Sequence, residues 1–129
     1  MSYRETIITP AADCKATTAT PPPDKSPPSK ARIEYDLLMA EPATHAHDSF
    51  NFTVYAAQCT HKGTAPVSRD QWLSKGRPCM RASPLTKTYG WHAYYDANGR
   101  ITLLDDADAA RMITSDGVQT RPAMRNKKV

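Results

Sequence analysis

The stretch ATTATPPPDKSPPSK, residues 16–30, constrains the fold of this 129-residue chain more than any other, because it holds five of the eleven prolines. Each proline fixes φ at about −65° and removes a backbone donor, so neither a helix interior nor a central strand can form there. The threonines beside them favour extended backbone. Residues 16–28 are therefore expected to be a polyproline-like connector, lying on the domain or extended in solvent. What remains is roughly 100 residues for a core, the size of one small domain.

Around that connector the elements follow from local patterns. YRETIIT, residues 3–9, has the β-branched content of a strand. Ser26 or Ser29 can cap a helix in which Ile33, Leu37 and Ala40 recur at helical spacing and Leu38 widens the stripe, with Arg32, Glu34 and Asp36 pointing elsewhere and Pro42 ending it. In SFNFTVYAAQCTH, residues 49–61, Phe50, Phe52, Val54 and Ala56 alternate with Asn51, Thr53, Tyr55 and Ala57. That period of two predicts a strand with one buried face, with Cys59 and His61 on the side of Tyr55. SRDQWLSKG, residues 68–76, reads as a short helix between a Ser68/Gln71 capping box and a Gly76 terminator.

Asn98-Gly99 predicts a type I′ hairpin joining residues 91–96 to 100–104. Asp105, Asp106 and Asp108 suit the start of a helix that Gly117 closes, and a weak last strand is expected over residues 118–123. Hairpin and helix signals mix without a βαβ rhythm. The expected class is α+β, a small antiparallel sheet of about four strands with helices packed on one face. The whole chain, 1–129, reads as a single domain, with 124–129 a basic tail.

The net charge of +4 and a pI near 9.1 are mild. Two stretches concentrate it: Arg69, Lys75, Arg77, Arg81 and Lys87, then Arg111, Arg121, Arg125, Lys127 and Lys128. That is equally compatible with an anionic small molecule and with an ordinary solvated surface, and it falls short of a dedicated nucleic-acid interface. Three cysteines, Cys14, Cys59 and Cys79, cannot all pair within the chain, and the start lacks the apolar core of a signal peptide, so a cytoplasmic setting is expected. No apolar run reaches membrane-span length.

The densest chemistry lies in CMRASPLTKTYGW, residues 79–91. Ser83-Pro84 is a helix-start signal that presents N–H donors, with Arg81 before it and Lys87 within a turn after it. The leading expectation is an anionic ligand held by Arg81, Ser83, Lys87 and Trp91. The competing reading makes Ser83 an ordinary cap, with Gly90 ending the turn at positive φ. A second class is a small enzyme with Cys79 as nucleophile, activated by Arg77 and Arg81, and His92 as base. Metal binding by His45, His47, Cys59 and His61, with Asp48, is not favoured, because their spacing matches no zinc signature. No cofactor is expected.

Trp72, Tyr89, Trp91, Tyr94 and Tyr95 among lysines and arginines raise single-stranded nucleic acid as a less favoured partner. A third class is a structural or interaction module in which residues 83–91 are only a corner, with homodimerisation through a strand edge. Phosphate-binding glycine loops, nucleophile elbows and H-E-x-x-H are all missing, which argues against ATP hydrolysis, dinucleotide redox chemistry and zincin proteolysis.

Three segments, YRETIITPAADC, WLSKGRPCMRASPLTKTYGW and AMRNKK, together resemble a bacterial family of unknown function. That resemblance implies no activity, cofactor or site residue. It marks departures: Thr88 stands where the family usually has arginine, His92 where it has glycine, and EPATHAHDSF introduces His45 and His47.

Overall fold

The computed structural model describes residues 3–114 and 117–126. Four strands, β1 (Thr6–Thr9), β2 (His92–Tyr95), β3 (Ile101–Leu104) and β4 (Gln119–Pro122), form one sheet in the order β3-β2-β1-β4. The helices are α1 (Lys30–Ala40), α2 (His47–Lys62), α3 (Arg69–Leu73), α4 (Pro84–Lys87) and α5 (Asp106–Ile113), with a 3-10 turn at Met80–Ala82. The class is α+β.

Two details of the expected sheet differ, and one connection explains both. β2 pairs antiparallel with β1 and β3, but β4 runs parallel to β1. Parallel strands need a crossover, usually helical. Here α5 carries the chain from the β3 edge to the β4 edge, packing Ala109 and Met112 with Ile7 and Leu104. The sheet is therefore mixed, and one helix covers the face opposite the others. On the main face, Ile8, Ala93, Tyr95, Ile101 and Leu103 pack with Ile33, Leu38, Phe50, Val54 and Leu85 in the large core.

The segment expected as a strand over 49–61 is helical. Phe50 and Val54, one helical turn apart, are buried, while Phe52 sits half-buried with its ring 6.0 Å from that of Tyr55. The apolar alternation is thus a helical stripe plus one flanking aromatic. Cys59 is buried and His61 exposed, so they do not share a face. Gly63, at φ 73°, closes the helix by donating to Cys59 O and Thr60 O.

Smaller corrections have local causes. Gly76 does not terminate α3, because Ser74 caps it and the Arg77 guanidinium donates to Trp72 O through Nε and Nη2, at 3.0 and 2.7 Å. Only Gly99 of the Asn98-Gly99 pair has positive φ. The Asp96 carboxylate accepts from the N–H groups of Asn98 and Arg100, both at 2.9 Å, and shapes a longer loop than a type I′ turn. Glu34 does not point away from the core; it is 4% exposed. Gly117 has φ 84°, while residues 115–116 and the end of the basic tail, 127–129, lie outside the described residues.

Residues 16–28 contain no helix or strand and lie against the domain. Thr20 N donates to Tyr89 O at 2.8 Å, Trp91 Nε1 donates to Thr20 O at 2.9 Å, and Arg32 Nη1 donates to Pro22 O at 2.9 Å. The backbone passes so close to Gly90 that a Cβ there would meet Thr18 O at 2.6 Å, and Gly90 also has φ 78°. Gly90→Ala is therefore expected to destabilise the protein by about 1–3 kcal/mol. Denaturant melts should show the loss, and limited proteolysis should cut at Lys15 or Lys25 in the variant before it cuts the wild type.

Candidate functional site

Three of the four residues expected to hold an anion are engaged within the fold. Ser83 caps α4 by accepting from Leu85 N at 3.1 Å, and its hydroxyl donates to Glu34 Oε1 at 2.8 Å. A buried carboxyl of the chain itself therefore stands at this helix start. Arg81 Nε donates to Pro122 O at 2.8 Å and Arg81 O accepts from Met124 N at 2.8 Å, so the residue borders β4. Trp91 is 8% exposed and holds the proline-rich arm. Lys87 instead lines a groove of about 460 Å³ with Asp13, Lys15, Thr88 and Asn126. Asp13 accepts there from the backbone and side-chain amides of Asn126.

Cys79 and His92 are not brought together. Cys79 is a half-buried free thiol preceding the 3-10 turn, whose Met80 N donates to Tyr95 OH at 2.9 Å. His92 lies on the sheet face opposite Tyr95, since side chains alternate along β2. Its Nδ1 is 3.8 Å from Asp106 Oδ1, and burial lowers its pKa against the opposing pull of Asp106 and Asp105.

The metal candidates are spread from His45, just before α2, to His61 in its last turn. His45 contacts Ser49 Oγ at 2.7 Å and Glu41 Oε1 at 3.0 Å. His47 opens the helix, with its pKa lowered mainly by burial, while Cys59 and His61 lie three to four turns further on. Among the described residues no three His, Cys, Asp or Glu side chains gather as a metal site.

A different cleft, of about 220 Å³, opens between α2, the start of α1 and the segment after α3. Lys30, Asn51, Val54, Tyr55, Gln58, Trp72, Arg77 and Pro78 line it. Tyr55 stacks on Trp72 at 3.7 Å between centroids and 6° between planes, and the Arg77 guanidinium carbon lies 3.3 Å from the Trp72 ring centroid. Trp72 is thus covered on both faces and forms a wall. Its Nε1 is buried and, among the described residues, has no hydrogen-bond partner. The Tyr55 hydroxyl accepts from Val67 N at 2.9 Å, which fixes the tyrosine and the loop beyond α2 together.

Lys30 links this cleft to the buried carboxyl. It stands one turn before Glu34 on α1, and among the described residues it makes no salt bridge. Burial raises the Glu34 pKa above its ordinary 4.5, while the Ser83 hydrogen bond and the Lys30 charge pull it down. The sequence marked Lys30 only as part of a helix start and Gln58 only as part of the segment expected to be a strand. Trp72 and Arg77 appeared there among aromatics and cations, and their five-residue spacing on a short helix and its exit was the available signal.

A sequence model of a family of unknown function, DUF6157, matches residues 1–129. The chain belongs to that family. No curated protein matches the chain, nor does any solved structure. No helix among the described residues is long and apolar enough to cross a membrane.

The raised Glu34 pKa sets a direction for stability. Between 4.5 and the higher folded value the native state holds more protons than the unfolded chain, so stability falls as pH rises through that window and levels off above it. Glu34→Gln keeps an oxygen to accept from Ser83 without the charge. Relative to this variant, wild type should lose stability with rising pH, at a slope bounded at about 1.4 kcal/mol per pH unit. Urea midpoints of both proteins from pH 4.5 to 8 measure it, and parallel curves would contradict the assignment.

Proposed function

We propose that this protein is a binding module for a small anionic ligand, taken in the cleft between α2 and the segment after α3. The observation that carries the reading is the lining itself. Among the described residues it contains two cations, Lys30 and Arg77, two side-chain amides, Asn51 and Gln58, and no carboxylate. A cationic ligand would be repelled by Lys30 and Arg77, whereas an anion gains from both, although solvent reaches Lys30 and part of its charge already acts on Glu34. Lys30 is also the first residue of α1, so the positive end of an eleven-residue helix adds to the field.

The groove beside Lys87 supports a second location for the same class of ligand, because Lys15 and Lys87 both line it. Asp13 in that lining weakens it. Nothing in either location calls for a catalytic step.

The experiment is a thermal-shift and NMR titration with inorganic phosphate and small organic acids, on wild type, Lys30→Met and Lys87→Met. A ligand that binds only the native state stabilises it by about 2.7 kcal/mol at a hundredfold excess over Kd. The expected result is stabilisation that Lys30→Met abolishes and Lys87→Met retains. The reverse pattern moves the ligand to the groove, and no response to any anion in wild type overturns the reading.

A further inference from the structure

Resting on the proposed anion cleft, we infer that its ligand is a small monocarboxylic acid with an apolar body rather than a phosphorylated compound. Three observations lead there. The first is size. At about 220 Å³ the cleft lies below the roughly 300–1,000 Å³ of pockets for drug-sized ligands, so a nucleotide does not fit within it.

The second is what has become of the guanidinium. Arginine recognises phosphate through two parallel N–H donors on one edge of its planar fork. In Arg77 the Nε and Nη2 donors both go to the carbonyl of Trp72, and the plane lies on the indole. That edge of the fork is spent on closing α3, which leaves the two Nη1 protons and one Nη2 proton. With its plane pinned on the indole, Arg77 cannot turn that side edge to a ligand, and Lys30 is the compact cation for one charged end. A lysine ammonium with a neighbouring side-chain amide such as Gln58 suits two carboxylate oxygens. A dianionic phosphate brings a second charge and a third oxygen beyond what that pair supplies.

The third is the apolar part of the lining. Val54, Tyr55 and Pro78 offer apolar surface in the same small volume. A phosphate ester with a polyhydroxylated body would bury hydroxyls there without partners, at a cost for each. A short hydrocarbon or aromatic body loses nothing on that surface and gains from being removed from water.

The probes are benzoate, its neutral amide benzamide, and inorganic phosphate, titrated by calorimetry and NMR into wild type and Lys30→Met. Lys30 is solvent-exposed, so the variant should fold, which circular dichroism checks. Benzoate is expected to bind at least about 10-fold more tightly than benzamide or phosphate, and Lys30→Met to weaken benzoate by about 10- to 100-fold, as loss of a charge-assisted hydrogen bond does. Phosphate binding as tightly as benzoate, with the same sensitivity to Lys30, overturns the carboxylate inference and leaves the anion reading standing. Benzamide matching benzoate overturns both, because the cleft would then select an apolar body without regard to charge. Silence from benzoate overturns this inference, and silence from phosphate as well removes the anion reading with it.

Discussion

The hydroxyl of Ser83 performs two tasks at once, and the arrangement of the helices depends on both. By accepting from Leu85 N it starts α4, and by donating to Glu34 it holds α1 against that start. The two residues are 49 positions apart in sequence and both are buried. A carboxyl in such surroundings costs free energy unless it is hydrogen-bonded or protonated, and Ser83 provides the bond. With α1 fixed by Glu34, Lys30 one turn earlier is fixed at the mouth of the cleft. The stability of the core and the position of the cation that a ligand would meet are therefore set by the same contact.

The cleft has a second support that arises from an ordinary problem of helix ends. A helix leaves its last carbonyls without intrahelical donors, and a basic side chain can satisfy them. Arg77 does this for Trp72, and in doing so it lies across the indole whose other face meets Tyr55. The result is a three-layer stack that stiffens one wall. Because both faces of Trp72 are covered, the indole is not a platform for a stacked base. Trp91 and Tyr95, also raised by the sequence as stacking groups, are buried in the core.

What was legible in the sequence was what is decided locally. Ser29, Ser68, Ser83 and Asp105 each cap a helix through a side-chain bond to a nearby N–H, a signal carried by the residue itself. α2 lacks that signal, since its cap is Ala46 with no side-chain bond, and the alternating phenylalanines mimic a strand. Its closing glycine and the charges near its ends were the better guide. The direction of β4 was not legible either, because four exposed residues carry no pattern that distinguishes parallel from antiparallel pairing. The cleft escaped notice for a related reason. Lys30, Gln58, Trp72 and Arg77 come from four places in the chain, and packing alone assembles them. The serine expected to greet an external anion was already bonded to an internal acid 49 residues earlier.

The order of the sheet also bears on how the chain comes to be complete. β1 lies between β2 and β4, yet it precedes both, with Ile7 paired to Tyr94 on one side and to Thr120 on the other. During vectorial synthesis the central strand leaves the ribosome long before either neighbour exists. Its isoleucines must wait, unpaired, for most of the chain to follow, and the arm after it can dock only when Tyr89 and Trp91 have arrived. Such non-local pairing is slow and leaves apolar strand exposed in the interval. The helices α1 and α2, which contact each other closely in sequence, can form their own hairpin meanwhile. The strand at the centre of the sheet thus precedes in sequence every strand with which it must pair.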